Sequence, residues 1–381
     1  MTEKIEKLLN DVEKISNKYE TIAQATGGNF NIFEIVNISH KEVYMCRLLS
    51  ELLNPSGSHH QGNIYLKLFF ETLSKNYCDK FNLTTPENAE VLREEGIVGY
   101  RRIDISIDDE EHRQYLPIEV KIYAQDQKDQ CKDYLTKKAK PKYNQGENAR
   151  LCYLTIDGSL PNESSLGDIS ETEREQILAI SWRKDIIEWL DACIMHKNTI
   201  EKAPIREVLI QFKKAVQKFT NQLEENEEMD IEELLINDPE NFENAEKIYK
   251  AFEGAKKRLL ENFKDKLLER IENQMGKKPD ENYCDNILND WNIGCKLKDL
   301  GNNRIEVVRV SYVKKDGNIQ KLRQNLCADW SANGGVNTIG SPKIIELYKL
   351  SKNCVDSKIQ ECVDWIIGEI EKSKNADARN N

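Results

Sequence analysis

Hydrophobic and polar residues alternate one by one in two short stretches of this chain. Ile103, Ile105 and Ile107 alternate with Asp104, Ser106 and Asp108; Ile118, Val120 and Ile122 alternate with Glu119 and Lys121. A period of two predicts strands with one apolar face and one polar face. The charged segment between them, Asp108 to Gln114, predicts the connecting loop of a hairpin. Elsewhere the spacing is helical. Ile5, Leu8, Leu9, Val12, Ile15, Tyr19 and Ile22 predict an amphipathic helix over 2–25, packed on its own domain or, alternatively, on a second chain. Ser39 with Glu42 three positions on reads as a capping box that opens a helix to Leu53. Asn54-Pro55-Ser56-Gly57 predicts a turn, and Ile64–Leu73 a further helix. His59 and His60 at that helix entry read as a cap or packing element or, alternatively, as site residues.

Beyond the hairpin, Gln127, Gln130 and Tyr134 fall on one face of a helix expected to start near Asp126. A strand is expected within 150–157 and another at 180–182, followed by helices over 185–193 and 204–219. The acidic run EENEEMDIEELL marks a boundary, and 243–274 reads as one long helix. Then come a strand at 305–313, a turn at 315–318, a partner strand at 319–326, and helices at 343–350 and 357–372. The predicted organisation is a domain over 1–222, a helical connector over 223–276, and a small α+β module over 277–381.

Composition narrows the class. Of 381 residues, 39% are hydrophobic and 32% charged, and no stretch approaches the roughly eighteen apolar residues of a membrane span. Ten cysteines without CxxC pairs or zinc-site spacing read as reduced thiols, so a cytoplasmic location is expected. The net charge of −11 argues against a general polyanion binder. A locally acidic metal site with its cations confined to one groove is compatible with it.

The polar face of the hairpin carries the chemistry. Asp104, then after fourteen intervening residues Glu119-Val120-Lys121, brings two carboxylates and an ammonium to one sheet face. Such a group is costly on an otherwise apolar sheet unless something uses it, and hard oxygen ligands of this kind suit Mg²⁺ or Mn²⁺. Asp-x(n)-Glu-x-Lys alone is a weak pattern. Its context strengthens it: both runs have strand phase, Glu94 precedes by ten positions, and the Gln127/Gln130/Tyr134 face follows directly. Lys137, Lys138, Lys140 and Lys142 form a basic run in an acidic protein, read as a solvated loop or, beside a metal site, as a phosphate contact.

With these residues in view, the chain resembles the PD-(D/E)xK nuclease superfamily, and within it a bacterial group with a helical segment ahead of the core. The matching residues are NIFEI (31–35), Glu42, Arg47-Leu48-Leu49, Leu52-Leu53-Asn54-Pro55, Ser58-His59 with Gly62, Arg93-Glu94, Arg101-Arg102-Ile103-Asp104-Ile105, Ile118 to Ala124, Asp126-Gln127, Gln130 and Tyr134, continued by Tyr153-Leu154-Thr155 and Ser181-Trp182. The set spans about residues 30–222, and is specific only as a set. The resemblance implies an α/β (α+β) fold: a mixed central, four-stranded β-sheet flanked by helices, restriction-endonuclease-like, with a helical N-terminus and a smaller C-terminal module. It implies a divalent-metal phosphodiesterase. Asp104 and Glu119 would be metal ligands, Lys121 the catalytic lysine and Glu94 an outer acid for a second ion. Gln127, Gln130 and Tyr134 would line the site, with Glu42 and His59 as weaker transfers. The first motif reads RID instead of PD, and the acids at Glu95 and Asp108 leave the outer ligand open. The expected partner is nucleic acid, DNA favoured over RNA, in defence against foreign DNA. A homo-oligomer or partner protein could be reached through the N-terminal helix or the C-terminal module. A catalytically silent binding or regulatory protein on the same fold is the competing reading.

Overall fold

The computed structural model describes residues 2–275 apart from 40, 79, 82, 98–100 and 125, together with 286–288, 291–301, 304–313, 343–346, 356, 357, 359, 360, 363 and 364. Two compact units are present, Glu6–Leu234 and Leu235–Asn381 with the first five residues.

The first unit is built on one mixed sheet of five strands: β1 (Glu90–Gly96), β2 (Arg102–Asp109), β3 (Gln114–Val120), β4 (Leu151–Thr155) and β5 (Ile177–Ser181). The strands lie in chain order, β1-β2-β3-β4-β5. The first three are antiparallel, whereas β3, β4 and β5 run parallel. The resemblance implied four strands, so the sheet is one strand wider. The loop between β2 and β3 is also shorter than expected, because β3 starts at Gln114 and runs through Pro117.

Helices cover both faces. Ahead of the sheet come α1 (Thr2–Thr26), α2 (Ile32–Ile35), α3 (Glu42–Leu53) and α4 (Ile64–Asn76). After β3 comes α5 (Gln130–Tyr134), which continues as a wider π-helical turn over Leu135–Ala139. The short helices α6 (Glu163–Leu166) and α7 (Glu171–Arg174) precede β5; α8 (Ile187–Met195), α9 (Lys197–Ile200) and α10 (Ala203–Phe219) follow it. On one face Ile105, Ile107, Leu116, Ile118, Val120, Cys152, Leu154, Leu178 and Ile180 pack with the apolar sides of α3, α4, α8 and α10. Trp189 stacks edge-on against Phe69 at 5.7 Å, and Trp182 against Phe219 at 5.5 Å. On the other, Tyr115, Leu151, Tyr153 and Ile177 are covered by Cys131, Tyr134, Leu135 and Ala139. Ile103 joins this second group even though it shares its phase with Ile105 and Ile107. β3 is therefore buried on both sides, and the face expected to be merely polar is enclosed.

One local expectation is corrected, and a second residue, His59, is found to be engaged in its own turn. The Ser39–Glu42 capping box does not form. The N-cap of α3 is Lys41, with no side-chain cap hydrogen bond, and the Glu42 carboxylate instead accepts from Ile122 N at 2.9 Å. His59 is only 7% exposed. Its Nε2 meets Asn54 O at 3.0 Å, and its Nδ1 accepts from Gln61 N at 3.0 Å. Both ring nitrogens are used within the turn, which makes His59 the neutral pin of the Asn54–Gln61 loop and no part of the catalytic cluster. Burial pushes its pKa below the usual histidine range.

α11 (Glu225–Ile236) lies almost wholly in the first unit. In the second unit are α12 (Pro239–Met275) and a four-stranded sheet of the order β6 (Asn286–Leu288), β7 (Trp291–Gly301), β8 (Arg304–Val313), β9 (Lys343–Glu346). β8 pairs antiparallel with β7 and with β9. Lys343–Glu346, expected to be helical, is thus an edge strand: Lys-Ile-Ile-Glu is too short to declare a period, and β8 supplies its ladder partners. The turn expected at 315–318 and the partner strand at 319–326 lie outside the described residues, as does most of the helix expected over 357–372.

The Asn54–Gln61 turn also requires a bare backbone at Gly57, where a Cβ would stand 2.5 Å from Glu51 O and 2.8 Å from the His59 ring. Gly57→Ala is expected to destabilise the fold by about 2 kcal/mol in urea unfolding; an unchanged midpoint would contradict this packing.

Candidate active site

The hairpin register sets the geometry. Ile105 pairs with Ile118, so Asp104 and Glu119 are the next residues along the two strands and lie across from each other. Asp104 Oδ2 accepts from Val120 N at 2.8 Å, which ties its carboxylate to β3. Lys121 follows β3 directly, and its backbone N–H still reaches Leu154 O at 2.7 Å. Its Nζ donates to Glu119 Oε1 at 2.5 Å. Glu42, projecting from the first turn of α3, closes the group from the other side of Lys121 through its bond to Ile122 N.

Helix α5 holds Glu119 from above. Gln130 Nε2 donates to Glu119 Oε1 at 2.7 Å and to the Tyr134 hydroxyl at 3.2 Å, while that hydroxyl donates to Arg102 O at 2.7 Å. The loop ahead of α5 is pinned by Asp126, which accepts from the Tyr153 hydroxyl at 2.6 Å and from Asn162 N at 2.8 Å. Asp129, at φ 55°, turns the chain into α5. The helix begins at Gln130, so Gln127 lies outside it: Gln127 is exposed and meets Gln130 through its backbone, its N–H donating to Gln130 Oε1 at 3.2 Å and its carbonyl accepting from Gln130 N at 3.2 Å.

The electrostatics follow from enclosure. Glu119 is 2% exposed and Lys121 8%. Three carboxylates face one ammonium. Burial raises the pKa of Glu119 well above the carboxylate range, and the negative charge of Asp104 adds to this. Burial also raises Asp104, against the opposing pull of the Val120 N–H and Lys121. Glu42 is pushed up to about 7, chiefly by burial, with Asp104 adding to it and Lys121 opposing. For Lys121, burial favours the neutral amine but is outweighed by Glu119, Glu42 and Asp104, so its pKa is raised. Held as a cation, Lys121 is suited to donate to an anionic oxygen. The alternative role as a proton acceptor from water is disfavoured by the three carboxylates around it.

The donor set fits a hard divalent cation. It consists of oxygen alone, carries excess negative charge, and contains a buried carboxylate oxygen, Glu119 Oε2, without a hydrogen-bond partner. Among the described residues no three carboxylate, imidazole or thiol groups stand at coordination spacing. Asp104 Oδ2 and Glu119 Oε1 engage protein donors here instead.

The remaining candidates lie further out. Glu94 falls across from Asp104, between the Arg93–Ile105 and Glu95–Ile103 pairs. It is exposed, has φ 53°, and meets Arg102 at 3.3 Å. Glu95 is the more integrated acid, accepting from Ser106 Oγ at 2.6 Å, from the Tyr115 hydroxyl at 2.5 Å and from Lys138. Sequence reasoning left it unassigned, because the left-handed residue at 94 breaks the alternation that would have placed it. The lysine run lies among acids. Lys137 pairs with Asp133 at 2.6 Å, Lys138 with Glu95, Lys140 with Glu173 at 2.8 Å and Lys142 with Asp108 at 2.6 Å. Each ammonium thus already has a carboxylate partner within the chain.

The Glu42 carboxyl, at about 7 when folded against 4.5 as the ordinary value, binds its proton more tightly in the folded state. Its contribution to stability is therefore complete below about pH 4.5 and is lost as pH rises through about 7. Glu42→Gln keeps the acceptor for Ile122 N and is expected to flatten this fall, gaining up to about 3 kcal/mol at pH ~8 in EDTA. Denaturant unfolding across pH checks it, and an unchanged slope would contradict the burial of Glu42.

Comparison with known families agrees with this geometry. Residues 30–219 match the PD-(D/E)XK nuclease superfamily. No curated protein and no solved structure gives a match. The matched segment contains all five strands, α3 with Glu42 and α5 with Gln130. With its mixed sheet, flanking helices and Asp104/Glu119/Lys121 hairpin, this chain belongs, through residues 30–219, to the PD-(D/E)XK nuclease superfamily.

Proposed function

We propose that the chain is a nuclease that hydrolyses phosphodiester bonds of DNA with a divalent ion, Mg²⁺ or Mn²⁺, held by Asp104 and Glu119. The observation that carries this reading is the buried, partnerless Oε2 of Glu119 beside Asp104, Glu42 and the Lys121 cation. Such an ion, when bound, supplies a water of lowered pKa and positive charge against the phosphoryl oxygens. Gln130 orients the Glu119 carboxylate through its Oε1. Lys121 Nζ donates to a non-bridging phosphate oxygen and offsets the charge that develops there. Glu42 holds the backbone at Ile122 and so aims Lys121, and Glu94 serves as an outer acid at the mouth of the site. Tyr134 acts through Gln130.

DNA is preferred to RNA, and defence against foreign DNA is the biological role proposed, both from the superfamily resemblance. A second copy or a partner protein belongs to the same proposal. α1 rests on α11 through Tyr19–Asp230 and Lys18–Asp230, at 2.8 and 2.6 Å, yet leaves Leu9 and Ile22 exposed. Among the described residues no helix is long and apolar enough to cross a membrane. The set Asp104, Glu119 and Lys121 is intact and in contact, which speaks against a fold retained for binding alone.

Plasmid DNA, single-stranded DNA and RNA are to be incubated with the full chain in Mg²⁺, in Mn²⁺ and in EDTA. Cleavage of DNA is expected with either ion and none in EDTA. Lys121→Ala is expected to lose at least about 100-fold in rate while melting as a folded protein. Cleavage that persists in EDTA or in this variant would overturn the site assignment, and an inert parent under all conditions would favour the silent regulator.

A further inference from the structure

The ammonium groups of the lysine run each face a carboxylate of the chain, so a cation without such a partner is the better placed to meet a phosphate. On α3, Lys41, Tyr44 and Arg47 recur every three residues and are all exposed. At about 1.5 Å rise per residue they form one stripe about 9 Å long. The Tyr44 ring is 43% exposed. Lys41 Nζ lies 6.0 Å from its centroid and the Arg47 guanidinium 5.4 Å. Neither cation has a carboxylate partner among the described residues. Lys41 also caps nothing with its side chain.

This contrasts with six other basic residues near the site. Lys137, Lys138, Lys140, Lys142, Arg101 and Arg102 each face an acidic side chain. The stripe is thus a place near the carboxylates where positive charge and an aromatic face are both available. Glu42 is two residues before Tyr44, hence on the opposite side of the same helical turn. The helix is about 10 Å across, a distance that an extended, unpaired strand spans within a few nucleotides.

We propose that Lys41, Tyr44 and Arg47 bind an unpaired stretch of the substrate strand next to the scissile phosphate, one base stacking on Tyr44 and its flanking phosphates meeting the two cations. The stretch is unpaired because a base inside a duplex has both faces covered by its neighbours, whereas a lone exposed ring needs a free face. Stacking is indifferent to base identity, so the stripe gives a preference for single-stranded or frayed substrate without sequence specificity. An acidic peptide would use the cations but leave the ring between them without a flat partner. The placement next to the scissile phosphate rests on the nuclease reading; the binding itself does not.

The test is fluorescence anisotropy of a labelled oligothymidylate with the full chain in EDTA, where binding is read apart from cleavage. Tyr44→Ala is expected to weaken binding about tenfold, and Tyr44→Phe to restore it. Lys41→Ala with Arg47→Ala is expected to reduce the slope of log affinity against log salt by about 1.4, about 0.7 per phosphate, while Tyr44→Ala leaves that slope alone. Binding of a blunt duplex is expected to be insensitive to Tyr44→Ala. Oligouridylate replaces oligothymidylate in a parallel arm, and the same dependence on Tyr44 is expected there. Parent-like binding by Tyr44→Ala, failure of Tyr44→Phe to restore it, an unchanged salt slope in the double variant, or no binding of either oligonucleotide by the parent would each overturn the proposal. Lys121→Ala separates it from the nuclease reading: parent-like cleavage by that variant defeats the catalytic assignment and leaves the anisotropy result standing.

Discussion

Three carboxylates and one ammonium enclosed between a sheet and its covering helices are the constraint on which this unit turns. Burying a charge is unfavourable unless partners replace the lost water. Glu119 has Lys121 and Gln130 on one oxygen and, among the described residues, no hydrogen-bond partner on the other. Glu42 and Asp104 are held by backbone N–H groups at the end of β3 and just beyond it. Charge compensation is therefore incomplete within the protein, and the raised carboxyl pKa values express that deficit. Local rules for a stable core are broken at this place, which is where function is expected to break them.

The surrounding architecture makes the cluster rigid. An antiparallel hairpin puts Asp104 opposite Glu119; the parallel β3–β4 ladder continues through the Lys121 backbone and keeps its position in register. Helix α3 delivers Glu42 from one face of the sheet, and α5 delivers Gln130 and Tyr134 from the other. Tyr153 and Asp126 fix the loop that aims α5. A side chain restrained from two directions loses little entropy when it engages a ligand, the basis of a preorganised site.

Much of this was legible in the residue pattern. Alternation at Ile105–Ile107 and Ile118–Val120 located both strands and put Asp104 and Glu119 on the same side. The rest depended on tertiary partners that no local window contains. Glu42 has the right spacing from Ser39 for a cap, but its carboxylate finds the Ile122 N–H, eighty residues away, instead. The lysines of 137–142 form a basic run in sequence and a set of ion pairs in space, because Asp108, Asp133, Glu95 and Glu173 come from other elements or other turns. His59 reads as a possible ligand until both ring nitrogens are seen to be engaged in its own turn. Lys343–Glu346 shows its strand nature only through the ladder with β8.

The central claim is that the Asp104–Glu119 pair exists to hold a divalent cation. The most direct measurement is calorimetric titration of Mn²⁺ into the metal-free full chain, beside Glu119→Gln and Asp104→Asn. The account requires saturable binding by the parent that each substitution abolishes while the fold is kept. Binding that survives in both variants, or a folded parent that takes up no ion, would contradict it.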